Sequence, residues 1–340
     1  MGEAPGGLGR RLRYLANRAA RLNPANVWRI AGAARPLTRK PRLVIVADML
    51  WCSVRYEFGF QDYLDWDVVM LTGAERRTFI THPKSNHLAM TLNHPELRRI
   101  FADKLQFNAR FAEFVGRDWL DLRDADAAAV RSFLDAHGRA MLKVPDSLSG
   151  KGIEKIEASE VTDVDAFLAE ALANRQFLLE GYIAQHPAMA SLCPTSVNSL
   201  RIITYFDGEK LHVLASVLKM GNGGDIDNFS GGGMYTMLDE SGTARFAAFD
   251  ESGTSYEVHP LTGTSIVGFQ VPLYDEVVPM LERAARVVPE VPYVGWDVAI
   301  TPDGPVIIEG NPNSGVYQSK PSVSGIREGL LPRYREAIGF

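Results

Sequence analysis

The stretch "GWDVAITPDGPVIIEGNPNSG", Gly295 to Gly315, constrains the fold more than any other. Two apolar runs, "VAI" and "VII", flank a turn of Pro302, Asp303, Gly304 and Pro305, which is the pattern of a β-hairpin. The outer ends of this apolar hairpin nevertheless carry Asp297, Glu309 and Asn311. A turn centred on Asp303 places Asp297 directly across from Glu309, and strand alternation puts Asn311 on the same face, two residues on. Two carboxylates side by side repel unless a cation or a proton lies between them. The apolar flanks and the neighbouring Trp296 predict a buried strand pair, where unpaired carboxylates are costly. Hard oxygen ligands without His or Cys suit Mg²⁺, which keeps waters and takes phosphate oxygens as its other ligands. The competing reading is a pair of exposed, solvated strand-end acids.

A chain of 340 residues holds two or three lobes with a sizeable core. Two cysteines, Cys52 and Cys193, cannot make a disulfide framework and have no metal-ligand spacing, so they read as free thiols in a reducing compartment. No apolar run approaches the roughly 20 residues of a membrane span. The basic N-terminus has no apolar stretch behind it, so it does not read as a secretory signal, and the expected location is the cytoplasm.

Charge is unevenly spread. Residues 1–42 hold ten Lys and Arg against a single acid, Glu3, while the whole chain carries −5, so the body is acidic. That balance argues against nucleic acid as a partner, because only the arm is basic. Within the arm, "RRLRYLANRAARL" places Leu12, Leu15, Ala16 and Ala19 at helical spacing and predicts a basic amphipathic helix. Such a helix either packs its apolar stripe on the protein's own body or makes peripheral contact with an anionic membrane surface or substrate.

Residues 43–103 read as an irregular, helix-rich stretch after a short strand, "LVIVA". Its dense aromatics (Trp51, Tyr56, Phe58, Phe60, Tyr63, Trp66) suggest packing, and His82, His87 and His94 read as loop histidines without metal spacing. A clearer pattern begins near Arg139. "RAMLKV" alternates as a strand, "PDSLSGKG" turns, and "IEKIE" returns. Thr162 or Asp163 caps a helix with Val164, Phe167, Leu168, Ala171 and Leu172 on one face, and "QFLLEGYI" follows as a strand. Then come "SLRIITYF", "LHVLASVLKMG", "GGMYTML" and "ARFAAF" as strands, and a helix at about Asp275–Val288. Strands outnumber helices and meet through tight turns, which predicts antiparallel sheets of α+β class. The expected division is a basic helical arm at 1–42, a helix-rich subdomain at 43–103, a hairpin-helix-strand lid with its lead-in at 104–182, and an antiparallel body at 183–340.

Ser147, Ser149, Gly150 and Gly152 make a small flexible loop and Lys151 adds a positive charge, a composition that lets backbone N–H groups close on phosphate oxygens. It is not a Walker A loop, since Pro145 stands where a glycine is needed, Gly152 where Ser or Thr is needed, and a strand follows. Lys143, inside the apolar strand "AMLKV", either snorkels to the surface or meets an anion; the neighbouring turn favours the anion. Asn228 and the triple glycine Gly231–Gly233 in "DNFSGGGM" let the chain approach a ligand, or form a plain turn.

A lysine-bearing lid hairpin, followed by a strand and by a sheet ending in Asp and Glu-x-Asn, resembles the ATP-grasp superfamily over about residues 100–320. "FLLEGYIAQHPAMASLCPTSVNSLRI" followed by "GWDVAIT…VIIEGN" resembles its sugar-transfer-associated branch, related to α-L-glutamate ligase-like proteins and linked to surface-polysaccharide synthesis. The resemblance implies ATP and Mg²⁺ as cofactors, with Asp297, Glu309 and Asn311 as metal ligands. It further implies Lys104, Lys143, Ser149, Gly150, Lys151 and Gly152 around the nucleotide's phosphates and adenine edge. Glu180 and Tyr182 are implied at the hinge beside adenine. Gln185 falls in the ribose window, where the family's usual acid is missing. Asn198, Arg201, Asn228 and Gly232 are implied on the substrate side, with Arg201, Lys219 and Lys151 neutralising the transferred phosphoryl group. The implied activity is a carboxylate–amine ligase working through an acyl phosphate on small-molecule substrates. A kinase of a small-molecule hydroxyl and a non-catalytic nucleotide binder are the alternatives.

Overall fold

The computed structural model describes residues 23–147, 152–224 and 227–340. The expected helix in "RRLRYLANRAARL" and the expected phosphate-loop residues Ser149, Gly150 and Lys151 lie outside these residues. The chain divides into two compact units, one of residues up to Lys84 with Gln318–Leu331, the other of Ser85–Tyr317 with Pro332–Phe340.

The first unit is helical. Asn23 accepts hydrogen bonds from Ala25 N and Asn26 N and so caps a helix at Pro24–Ala33. "LVIVA" is not a strand but the start of a helix, Arg42–Arg55. Its buried positions Ile45, Met49, Cys52 and Ser53 fall at i, i+4, i+7 and i+8, and this longer periodicity overrides the local β-branched run. Phe58, Trp66 and Phe79 pack edge-on or tilted, as the aromatic density suggested, although Trp51 is 58 % exposed. The segment 318–331 is fastened to this unit by the buried Lys320–Asp67 ion pair at 2.8 Å and by Arg327 on Glu75 at 2.6 Å.

Of the histidines expected in a loop, His82 and His87 lie in a helix instead, His82–Leu92, and His94 stays in the loop that follows it. Pro83 sits in its first turn, where its missing N–H costs nothing, and Ser85, Leu88 and Ala89 form the buried face. His82 stacks on Trp66 and pairs with Asp62 at 3.2 Å.

The second unit holds two antiparallel sheets. In chain order the strands are β1 Trp119–Asp121, β2 Arg139–Lys143, β3 Ile153–Glu157, β4 Leu178–Gly181, β5 Ser199–Phe206, β6 Leu211–Met220, β7 Met234–Met237, β8 Ala248–Asp250, β9 Ser255–Tyr256, β10 Tyr293–Thr301 and β11 Gly304–Asn311. The smaller sheet has the order β1-β4-β2-β3 and the larger β11-β10-β5-β6-β7-β8-β9. Strand β1 and the helix Ala127–His137, capped by Asp126, were not foreseen. The expected strand "ARFAAF" is cut short to Ala248–Asp250, because Asp239 holds Ser241, Thr243 and Arg245 in a tight turn ahead of it. The helix Val164–Ala173 is capped by Asp163, whose carboxylate accepts from Ala166 N at 2.9 Å.

The core of the large sheet is one face of β5, β6, β10 and β11, with Leu200, Ile202, Leu218, Trp296, Val298 and Ile307 packed against the helix Tyr274–Ala285. Residues alternating with these point to the opposite face. Among the described residues no helix is long and apolar enough to cross a membrane, and Cys52 and Cys193 are buried free thiols.

Candidate active site

Strand alternation builds the site. Trp296 and Ile202 face the core, so Asp297 and Arg201 face away from it. In the sheet register Arg201 on β5 lies opposite Asp297 on β10, and Asp297 lies opposite Glu309 on β11. Lys219 on β6 faces Ser199 on β5, two residues from Arg201. One row of charged side chains thus crosses the sheet.

Asp297 and Glu309 are opposed, but not by the expected turn. The hairpin closes through a tight turn that pairs Thr301 with Gly304 and Val298 with Ile307. Continued regularly, that register sets Asp297 against Ile308. A bulge between Asp297 and Val298 takes up one residue of β11 and brings Glu309 across instead. The glycine between Glu309 and Asn311 is set by close approach, since a Cβ on Gly310 would stand 2.7 Å from the Phe101 ring.

The electrostatics of this row are strongly coupled. Arg201 donates to Asp297 from Nε at 2.5 Å and from Nη2 at 2.8 Å, a bidentate pair, and its guanidinium lies 5.8 Å from the centre of the Tyr317 ring. Lys219 Nζ is 3.5 Å from both Asp297 and Asp227. Burial alone would raise the Asp297 carboxyl, but Arg201 and Lys219 outweigh it and hold the group down at about 2. Burial likewise opposes the charge on Lys219, and Asp227 with Asp297 reverses that and raises it.

A second cluster comes from the small sheet. Glu180 on β4 is 1 % exposed. Its carboxylate accepts from Arg117 at 2.8 Å, from Asn108 at 2.6 Å and from Lys143. Arg117 is itself held by the carbonyls of Val115, Ile307 and Ile308. Burial pushes the Glu180 carboxyl up, and the two cations pull it below the usual carboxylate range. Lys104 donates to the Ser147 carbonyl at 2.7 Å, and burial, reinforced by Lys143, lowers its affinity for a proton.

These two clusters line one cavity of about 600 Å³, a volume typical of small-molecule sites. Lys104, Lys143, Glu180, Tyr182, Arg201, Lys219, Asn228, Asp297, Glu309 and Asn311 all contribute to its wall. Gln185 and Asn198 do not. Asn198 is fully buried and donates to the Met189 and Cys193 carbonyls, while Gln185 accepts from Asn198 and donates to the Ser196 carbonyl, so the two hold a loop in shape. Gly152 and Gly232 also lie off the wall; each takes a positive φ, +68° and +95°, that glycine adopts without strain. Sequence reasoning missed Asp227, which accepts from the Ser199 N–H at 2.9 Å and from its hydroxyl. Its signal was present, as the acid opening "DNFSGGGM". It also missed Arg117, a lone charge without motif that gains its role only through Glu180.

The oxygen set fits a hard divalent cation. Among the described residues no three His, Cys, Asp or Glu side chains group closely enough to hold a metal. Two carboxylates and a carboxamide do converge: Asp297 and Glu309 are opposed in the strand register, and Asn311 Nδ2 is 3.3 Å from Glu309 Oε1. Asp297 Oδ1 is shared by Arg201 Nε and the Lys219 ammonium, while Oδ2 accepts one Arg201 N–H and retains a second lone pair for a cation.

The two antiparallel sheets thus contribute to one cavity lined with cations and a carboxylate pair. The profile of the sugar-transfer associated ATP-grasp family matches residues 147–333, more than half of the chain, and the chain belongs to that family. No curated protein matches it in sequence. Solved structures similar to it include the ATP-grasp ligase PsnB complexed with a minimal precursor (15 % identity, 83 % of this chain and 76 % of that one, TM-score 0.44). Others are D-cycloserine synthetase DcsG (17 % identity, 76 % of each chain, TM-score 0.41) and D-alanyl-alanine synthetase A from Vibrio cholerae (13 % identity, 73 % and 63 %, TM-score 0.40). At these TM-scores the likenesses bear on neither substrate nor reaction.

Proposed function

We propose that this chain is an ADP-forming carboxylate–amine ligase that uses ATP and Mg²⁺, with substrates drawn from surface-polysaccharide or secondary metabolism. The observation that carries the reading is the row Arg201–Asp297–Glu309 across three strands, facing Lys104 and Lys143 across one cavity. A cavity walled by five cations, Lys104, Arg117, Lys143, Arg201 and Lys219, suits a polyphosphate, and a planar guanidinium suits a carboxylate or a transferring phosphoryl group.

In this reading Asp297, Glu309 and Asn311 hold Mg²⁺, which when bound offsets charge on the phosphate oxygens. Lys143 approaches the phosphates from the small sheet and Lys104 from the start of the helix Lys104–Arg110. Tyr182 and the chain leaving β4 border the adenine, and Asn228 faces the acceptor. A substrate carboxylate oxygen attacks the γ-phosphorus, the bond to the β,γ-bridging oxygen breaks, and ADP leaves. The amine nitrogen then adds to the acyl carbon, the acyl–oxygen bond breaks, and phosphate departs while the nitrogen loses a proton. In this reading Arg201 and Lys219 neutralise the charge that develops, and their pairing with Asp297 and Asp227 supports the reading by limiting the reorganisation needed.

The test is a panel of carboxylates and amines with ADP release as readout and mass spectrometry of products. An amide with one free phosphate per ADP is the expected result. Phosphate retained on a hydroxyl would make the protein a kinase instead, and no turnover with any pair would favour a non-catalytic nucleotide binder.

A further inference from the structure

The first unit carries an apolar surface with no role in its own core. On the helix Arg42–Arg55, Leu43, Ala47, Leu50 and Val54 recur at i, i+4, i+7 and i+11, with Val44 and Trp51 beside them, and all six are exposed. Leu43 is 71 % exposed and Trp51 58 %. This stripe is about 17 Å long and lies on the side away from buried Ile45, Met49 and Cys52. Trp28, 45 % exposed, extends it at one end, where Arg42 lies 4.3 Å over its ring. Scattered exposed apolar residues are ordinary, but a continuous helical stripe with two tryptophans is not.

Its rim is cationic. Residues 23–55 contain six Arg and Lys and a single acid, Asp48. Arg29, Arg35, Arg39, Lys40 and Arg55 are exposed. Asp48 is turned inward, where it accepts from Arg76 at 2.7 Å and from Tyr63 at 2.6 Å. Three occupants could cover the stripe, and charge separates them. Residues 1–22 carry five Arg against Glu3, so laying them on this rim sets like charges together. A second copy of the chain would do the same, rim against rim. An anionic surface with an apolar interior takes up both the rim and the stripe.

We propose that this helix face, with Trp28, docks the protein in the plane of an anionic lipid bilayer. The apolar stripe enters the boundary between headgroups and acyl chains, the tryptophans sit at the headgroup level, and the Arg and Lys rim meets the lipid phosphates. The arm adds attraction of the same sign. Docking is independent of the chemistry in the second unit.

The experiment is co-flotation of the full chain with vesicles of phosphatidylcholine alone or enriched in phosphatidylglycerol. Binding to the anionic vesicles is expected, with little to the neutral ones, and it is expected to weaken between about 0.1 M and 1 M salt as the screening length falls from about 10 Å to about 3 Å. Leu50→Asp and Trp51→Asp, both at exposed positions, are each expected to cut partitioning about tenfold or more without moving the melting temperature. Trp51→Ser and the paired change Arg39→Glu, Lys40→Glu serve as milder probes of stripe and rim, each expected to weaken partitioning. Anionic binding unchanged in all these variants would overturn the proposal and leave the arm as the sole contact. No vesicle binding by the parent chain would overturn it too, and a parent dimer that Trp51→Asp splits would assign the stripe to a second copy.

Discussion

Glu309→Ala is expected to lower Mg²⁺-dependent ATP turnover about a thousandfold, the consequence of losing about 4 kcal/mol of charge stabilisation at the phosphates. The same change is expected to leave stability within about 1 kcal/mol, because Glu309 is half-buried and, unlike Asp297, is not ion-paired with Arg201 or Lys219; its charge favours Lys104 and Arg201 without a direct ion pair. This separates it from Asp297→Ala, which strips the buried Arg201 of its bidentate partner and confounds folding with catalysis. Steady-state ADP release, read beside a thermal melt, checks the point. Turnover within about tenfold of the parent would remove Glu309 from the metal-binding role.

Glu180→Ala is expected to destabilise the fold by about 3–5 kcal/mol, the usual cost of removing one partner from a buried charge cluster. The alanine leaves the Arg117 guanidinium and the Lys143 ammonium with no carboxylate between them, at side-chain exposures of 5 % and 11 %. Arg117 also ties the β11 carbonyls of Ile307 and Ile308, so the loss reaches the edge of the large sheet. Lys143→Met is expected to cost far less, since Arg117 and Asn108 still satisfy Glu180. Denaturant midpoints for the two variants measure the difference, and similar midpoints would show that Glu180 is not the anchor.

The legible parts of this protein were those set by local chemistry. Alternation in "RAMLK" and the apolar, β-branched run "SLRIITYF" marked their strands, and a cap at Thr162 or Asp163, which the structure assigns to Asp163, marked the helix after the lid hairpin. "LVIVA" misled because five β-branched and apolar residues look like a strand until the period running on to Cys52 and Ser53 is counted. The helix Ala127–His137 was within reach, with Asp126 before it, Gly138 after it and Val130, Phe133 and Leu134 on one face. The candidate site was legible as residue types and less so as geometry. Sequence placed Asp297 against Glu309 but assumed a regular ladder, whereas a bulge is what aligns them. It had no means of seeing that Glu180 would spend its carboxylate on Arg117 and Lys143, or that Asn198 and Gln185 would bind each other, because those pairings join chain segments up to 63 residues apart.

The central claim is that Asp297, Glu309 and Asn311, in one cavity with Lys104 and Lys143, form a Mg²⁺-dependent nucleotide site. Equilibrium binding of a non-hydrolysable ATP analogue to the full chain, with Mg²⁺ and with chelator, tests it most directly. Saturable binding that needs Mg²⁺ and is lost in Glu309→Ala is the predicted result. Binding of equal strength in chelator and in Glu309→Ala, or none at all, would contradict it.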